Sequence, residues 1–240
     1  MEQRKEFGEG ILYIFSNYIY NFMVTNFFFA AANVVFLFFF MTLIQSVSNS
    51  LLYYLALIPA GPAISALLYS MDKLARTGDL SPVHDFAYGY KSNLKQTLLI
   101  WASILTVLFI LVIDIVYMRQ SASLVNVAFS AILLVFLAIW VLVSLNALII
   151  NSRFSFRKRD LFKISVFYIL KKWKTTLANV GLFMAAAVFL SVTTDFLLLF
   201  LFSLLAFFIM KQSQPMLKDI EKNFVQPQET NNYKRKAAIS

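Results

Sequence analysis

The chain has 240 residues, of which 60% are hydrophobic, with 26 Phe and 11 Tyr, a formal net charge of +9 and a mean hydropathy of +0.73. Only 14% of the residues are charged, too few to cover a compact soluble domain, so the composition is that of a membrane protein. With no cysteine, disulfides, thiolate metal sites and a cysteine nucleophile are excluded.

No charged n-region, short apolar core and small-residue cleavage site precede the first long apolar stretch, and the N-terminus is expected to be retained. A helix needs ~20 apolar residues to cross the ~30 Å hydrocarbon core. In chain order, six stretches have this character: residues 19–45, 51–71, 96–118, 123–150, 175–193 and 195–210. The last two are separated only around Thr194 and Asp195. They read either as a tight hairpin or as one long helix; the hairpin is favoured, because a single helix would overshoot the bilayer and hold Asp195 inside it at a cost of about 3 kcal/mol.

The expected fold is all-α: a polytopic membrane protein of about six transmembrane helices, one of them broken by Pro and Gly, with two cytoplasmic amphipathic surface helices. Residues 1–210 form a single transmembrane domain. Residues 211–240 form a polar cytoplasmic tail, largely disordered, of which 211–225 can extend the last helix, with Lys234, Arg235 and Lys236 near anionic lipid. Of the 21 Lys and Arg, all but Arg119 fall in segments that share one side if there are six crossings. Excess Lys and Arg marks the cytoplasmic face, which places both termini inside. The basic charge is thereby accounted for by threading and by attraction to anionic headgroups, and no nucleic acid is expected as a partner.

In the second stretch, IPAGPAIS places Pro59, Gly61, Pro62 and Ser65 where the helix has to break or kink near Ile58 to Gly61, with Gly61 as a cap and Pro62 at the first position of a new helix. Backbone groups freed near the midplane require protein or water as partners. Two readings stay open: a discontinuous helix whose end faces a polar or anionic solute, or a kink that packs the bundle.

Two loops on the basic side carry helical patterns. In the first, Ser81 caps a helix from Pro82 with Val83, Phe86, Ala87, Tyr90 and Leu94 on one face. In the second, Asp160 caps a helix with Leu161, Ile164, Phe167 and Tyr168 on its apolar face and Lys163, Lys171, Lys172 and Lys174 on the polar one, with Trp173 at headgroup level. Residues 94–98 and 173–177 align at an offset of 79, a weak trace of an internal repeat.

Polar residues within the crossings include Asn21, Asn26 and Asn33 in the first, with Asp114 and Asn146 further on, suited to helix packing or to a solute route. Phe36 to Phe40 read as lipid-facing bulk. A single histidine, His84, and the lack of HExxH, Walker, GxSxG or GxGxxG patterns argue against an enzyme; no catalytic residue, metal or cofactor is expected.

The segment PAGPAISALLYSMDKLAR followed by HDFAYGYKSNLKQTLLIW resembles the YesL family of bacterial membrane proteins, in which a TxGPAxxALYY-type segment and a charged turn precede FFxxFKxNFKQS. The matching residues are Pro59, Gly61, Pro62, Ala63, Ala66, Leu67 and Tyr69, then Phe86, Tyr90, Lys91, Asn93, Lys95 and Gln96. Ala60 replaces the family's threonine, so a hydrogen bond from that threonine is not part of any function kept here, and Thr97 stands where serine is usual. The resemblance implies a bacterial plasma-membrane protein that accompanies carbohydrate utilisation. On that expectation the chain is an accessory or assembly partner of a sugar ABC transporter permease or another membrane protein. The alternative is a small polar-solute transporter or channel acting alone. Lys91, Asn93 and Lys95, with Lys171, Lys172 and Lys174, are the candidate contacts to a partner or to lipid headgroups.

Overall fold

The computed structural model describes residues 10–44, 46–92, 94–120, 123–192 and 198–225. Ten α-helices lie among them: α1 (Ile11–Ala32), α2 (Val34–Thr42), α3 (Ser50–Leu57), α4 (Ala60–Thr77), α5 (Pro82–Lys91), α6 (Leu94–Arg119), α7 (Leu124–Arg153), α8 (Lys158–Lys171), α9 (Trp173–Val192) and α10 (Leu198–Ile220). A 3₁₀ turn at Val47–Asn49 precedes α3, and a π-turn at Glu221–Val225 ends α10. The protein is an all-α, polytopic membrane protein.

Helices α6 and α7 are each long and apolar enough to cross a bilayer. Two bent pairs, α1 with α2 at 69° and residues 47–57 with α4 at 52°, reach that length and apolarity only when each pair is taken as one span, and α9 is a shorter apolar helix. Of the six expected stretches, then, two are uninterrupted spans and two are bent pairs. The stretch at 195–210 yields the first part of α10, whose second half is polar. Two packed helices, not one long one, occupy 175–210: the Asn179 amide donates to Ser213 Oγ at 3.0 Å, and the packing pairs early α9 with late α10, hence antiparallel. Their connection, including Asp195, lies outside the described residues, as do Arg4, Lys5 and the tail from residue 226.

One break was expected, and among the described residues there are two bent pairs. The unforeseen one is at Asn33, whose backbone leaves helical geometry (φ −105°, ψ 15°) while its side-chain amide donates to Phe29 O at 2.7 Å. The amide offers that carbonyl a donor in place of the backbone, a familiar way for Asn to interrupt a helix. At the expected break the new helix begins at Ala60, two residues before Pro62, with Pro59 as its cap. Pro59 already has near-helical angles (φ −67°, ψ −15°), so the turn after it is helical at once. Pro62 then sits at the third helical position, where an N–H would have no intrahelical partner in any case. At its other end α4 stops on Gly78, which takes φ +72°, a left-handed angle open to glycine without Cβ strain, and donates its N–H to Leu74 O.

Helix α5 starts as expected, with Ser81 capping and Pro82 first, but the Ser81 hydroxyl caps nothing; the Asp85 carboxylate accepts the Ser81 N–H at 2.9 Å instead. Its buried face is Pro82, Asp85, Phe86 and Gly89, about one residue round from the expected Val83, Phe86, Ala87 and Tyr90, of which only Phe86 is buried. Two residues rotate it. Lys73 draws Asp85 inward, and the bare face of Gly89 approaches α4 so closely that a Cβ there would lie 3.0 Å from Ala66 Cα.

Helix α8 starts at Lys158 with Arg157 as its cap, not at Asp160, and buries Leu161, Ile164, Ser165 and Tyr168 while Phe167 stays exposed.

The core centres on α4, which packs against α1, α5, α6, α7 and α10. Against α1, α10 runs antiparallel: Tyr18 and Phe22 meet Phe207, and Phe29 meets Phe202.

Candidate functional site

The residues expected to make a site at the helix break are packed. Trp101 of α6 donates its indole N–H to Leu57 O at 2.7 Å, supplying the partner that the break removes from that carbonyl. The same indole lies over Gly61, and Gly61, Pro62 and Ser65 are all buried. The position where a solute would meet freed backbone is occupied by a tryptophan.

The far end of α4 holds a feature that the sequence reading missed. Asp72, 1% exposed, accepts from Arg76 Nε at 2.9 Å and from Gln214 Nε2 at 2.7 Å, with Arg153 Nη1 at 3.9 Å. Arg153 donates to Gln214 Oε1 at 3.3 Å and to Glu221 Oε2 at 2.8 Å. A chain of charge-assisted bonds thus ties α4, α7, α10 and the π-turn, and the buried carboxylate has the several partners that make burial tolerable. The only local signal for it was Asp72 four residues before Arg76.

Two further acids act as clamps at the same end. Asp85 accepts Lys73 Nζ through both oxygens, at 2.8 and 2.7 Å. Burial pushes its carboxyl up, but the Lys73 ammonium and the Ser81 N–H outweigh this and hold it below the usual carboxylate range. Asp219 accepts from Lys171 Nζ at 2.6 Å and from the Tyr168 hydroxyl, and the lysine first, then the tyrosine, keep it ionised at lower pH than usual. Burial, reinforced by the neighbouring Asp219, raises the Tyr168 phenol well above its ordinary value.

Among the expected contact lysines the structure makes a distinction. Lys171 is engaged internally, by Asp219 and over the Tyr168 ring. Lys91 and Lys95 are exposed at the end of α5 and the start of α6, and Lys174 is exposed beside the Trp173 ring at 5.9 Å; Lys172 is half-buried. Asn93 lies outside the described residues.

The intramembrane polar residues are dispersed. Asn26 accepts from Ser203 Oγ at 3.4 Å, bridging α1 and α10; Asn33 serves the bend; Asn146 donates to Ser165 O at 3.5 Å; Asp114 is exposed on α6. Asn21 and Thr25, buried one turn apart on α1, have side-chain atoms without a hydrogen-bond partner among the described residues. A cleft of about 650 Å³ between α2, α3 and α6 is lined by Phe36, Phe40, Tyr53, Leu57, Phe109 and Val112 among others, a lining suited to hydrocarbon. No three His, Asp or Glu side chains among the described residues are grouped so as to hold a metal ion.

No curated protein matches the chain, and no solved structure does. Residues 12–115, from α1 through most of α6 and including the break and the Lys73 to Asp85 clamp, match the family described as "Protein of unknown function, DUF624", the YesL-like integral membrane family to which the motif residues had pointed.

Proposed function

We propose that this membrane protein is an accessory or assembly partner of a carbohydrate uptake system in the bacterial plasma membrane, with both termini cytoplasmic, and that it catalyses no reaction of its own. The observation that carries the reading is the occupied helix break: the Leu57 carbonyl and the Gly61 surface are used by Trp101, which leaves the discontinuous helix a packing device. The apolar lining of the cleft between α2, α3 and α6 also favours hydrocarbon over a sugar. Lys91 and Lys95, exposed beside the helices of the family motif, offer the cationic surface for a partner.

Affinity purification from native membranes in mild detergent, followed by mass spectrometry, tests this. A sugar permease or other membrane protein in fixed ratio, lost in a Lys91→Gln, Lys95→Gln double variant that still inserts and folds, is the expected result. Full partner occupancy in that variant removes the lysine surface from the reading. Recovery of the chain alone overturns the reading and turns attention to solute flux in liposomes, where the buried polar atoms of Asn21 and Thr25, without a hydrogen-bond partner among the described residues, are the observation favouring a carrier.

A further inference from the structure

Helices α9 and α10 touch along one side and part along the other. On the inner side the Asn179 amide joins Ser213. On the outer side a cleft of about 480 Å³ lies between them, lined by Ala178, Gly181, Leu182, Phe208, Lys211 and Gln212. Its cause is sequence: Ala178 and Gly181 project almost nothing from α9, and a Cβ added at Gly181 would meet no atom within 4 Å.

The cleft is amphiphilic along its length. Leu198–Met210 carries no charge and is apolar but for Ser203, and Lys211 is the first charge after it, so its ammonium stands at the edge of the hydrocarbon. Trp173 and Lys174 open α9 at the same end, and Gly181 lies about 12 Å further in at 1.5 Å per residue. The Lys211 ammonium lies 6.0 Å from the Phe207 ring centre and has no carboxylate within ion-pairing distance among the described residues; Gln212 beside it is exposed and makes no hydrogen bond. The Asn179–Ser213 bond sets Gly181 level with Lys211, so the cation stands beside the open face, and Leu182 and Phe208 continue the cleft inward.

We infer that this cleft is a binding site for one anionic phospholipid of the surrounding bilayer, its phosphate at Lys211 and Gln212 and one acyl chain along the face opened by Gly181. Charge complementarity selects the headgroup, and Phe208, exposed at the inner end of the cleft, opens it toward the bilayer. Neither half suffices alone: an unpaired surface lysine holds any anion weakly, and a groove without charge takes any chain.

Native mass spectrometry of the full chain, delipidated in mild detergent and titrated with phosphatidylglycerol or phosphatidylcholine of identical chains, tests the site. The wild type is expected to bind a first phosphatidylglycerol about fivefold more tightly than phosphatidylcholine, the scale of one lysine at an anionic headgroup. Lys211→Gln abolishes that preference, whereas Lys218→Gln, an exposed lysine further along α10, keeps it. Gly181→Leu, which fills the open space, weakens both lipids. Equal affinity of the wild type for the two lipids overturns the inference, as does a preference that survives Lys211→Gln. Displacement of the lipid by millimolar inorganic phosphate would show a free-anion site and overturn it too. Lys211→Gln alters an exposed side chain, so the comparison stands even if Gly181→Leu disturbs packing.

Discussion

Trp101 stands where a side chain on Gly61 would have to be: a Cβ at residue 61 would lie 2.4 Å from Trp101 Cγ, while the same indole donates its N–H to Leu57 O. One residue therefore fills the bend sterically and satisfies it electrostatically.

Gly61→Ala must displace that indole core, not a flexible tip, and is expected to lower stability by about 1–3 kcal/mol. Trp101→Phe keeps the ring but strands the Leu57 carbonyl, at a cost of about 1–3 kcal/mol. Thermal unfolding in detergent measures both. A Trp101→Phe variant as stable as wild type would show that the carbonyl has another partner.

Arg153→Gln removes the cation that links Asp72 to Glu221 and leaves buried Asp72 with the Gln214 amide and, as its one remaining cation, Arg76, which is itself partly solvated. Loss of one partner from a buried charge network costs about 3–5 kcal/mol where no other charge replaces it. Because Arg76 remains, the loss is expected below that range, and the Arg76→Gln, Arg153→Gln double variant should lose more than the two single variants together. Strict additivity would mean that the two arginines do not share Asp72.

The Lys73 to Asp85 clamp predicts a pH dependence. Asp85 is depressed in the folded protein, so its contribution is fully present above the unfolded carboxyl pKa of about 3.9 and is lost as pH falls through the lower folded value. The stability difference between wild type and Asp85→Asn should be constant from pH 7 to about 5 and shrink below about 4. A gap that closes between pH 7 and 5 would point to another titrating group.

Tyr168→Phe deletes the phenol that donates to Asp219 but leaves Lys171 on the same carboxylate. The expected loss is about 1 kcal/mol, and Asp219→Ala should exceed it, since it releases both donors and leaves the Tyr168 hydroxyl without this acceptor. Chemical unfolding of the two variants gives the order directly; the reverse order would mean that Asp219 contributes little to anchoring α10.

Where a feature depends on local pattern, the sequence reading came close. The spans expected at 96–118 and 123–150 are Leu94–Arg119 and Leu124–Arg153, and the break expected near Ile58 to Gly61 falls at Ile58 and Pro59. The α5 face, in contrast, turned by about one residue, because its register is decided by Lys73 and Ala66 on another helix. Asp72 and Asp85 did not stand out in the sequence, since the partners that bury them, such as Gln214, are remote in sequence. Asn33 resembled Asn26 on the page. Only the geometry shows that one ends a helix while the other bridges to Ser203.

The pairing of α1 with α10 fixes a timetable for biogenesis. When α1 leaves the ribosome, Asn26 has no Ser203 to meet and Phe22 no Phe207, and almost the whole polypeptide must be translated before α10 arrives. Gln214 and Glu221, which complete the bonds around Arg153, come later still. A nascent chain halted before α10 would lack all of these bonds to α10 and the π-turn.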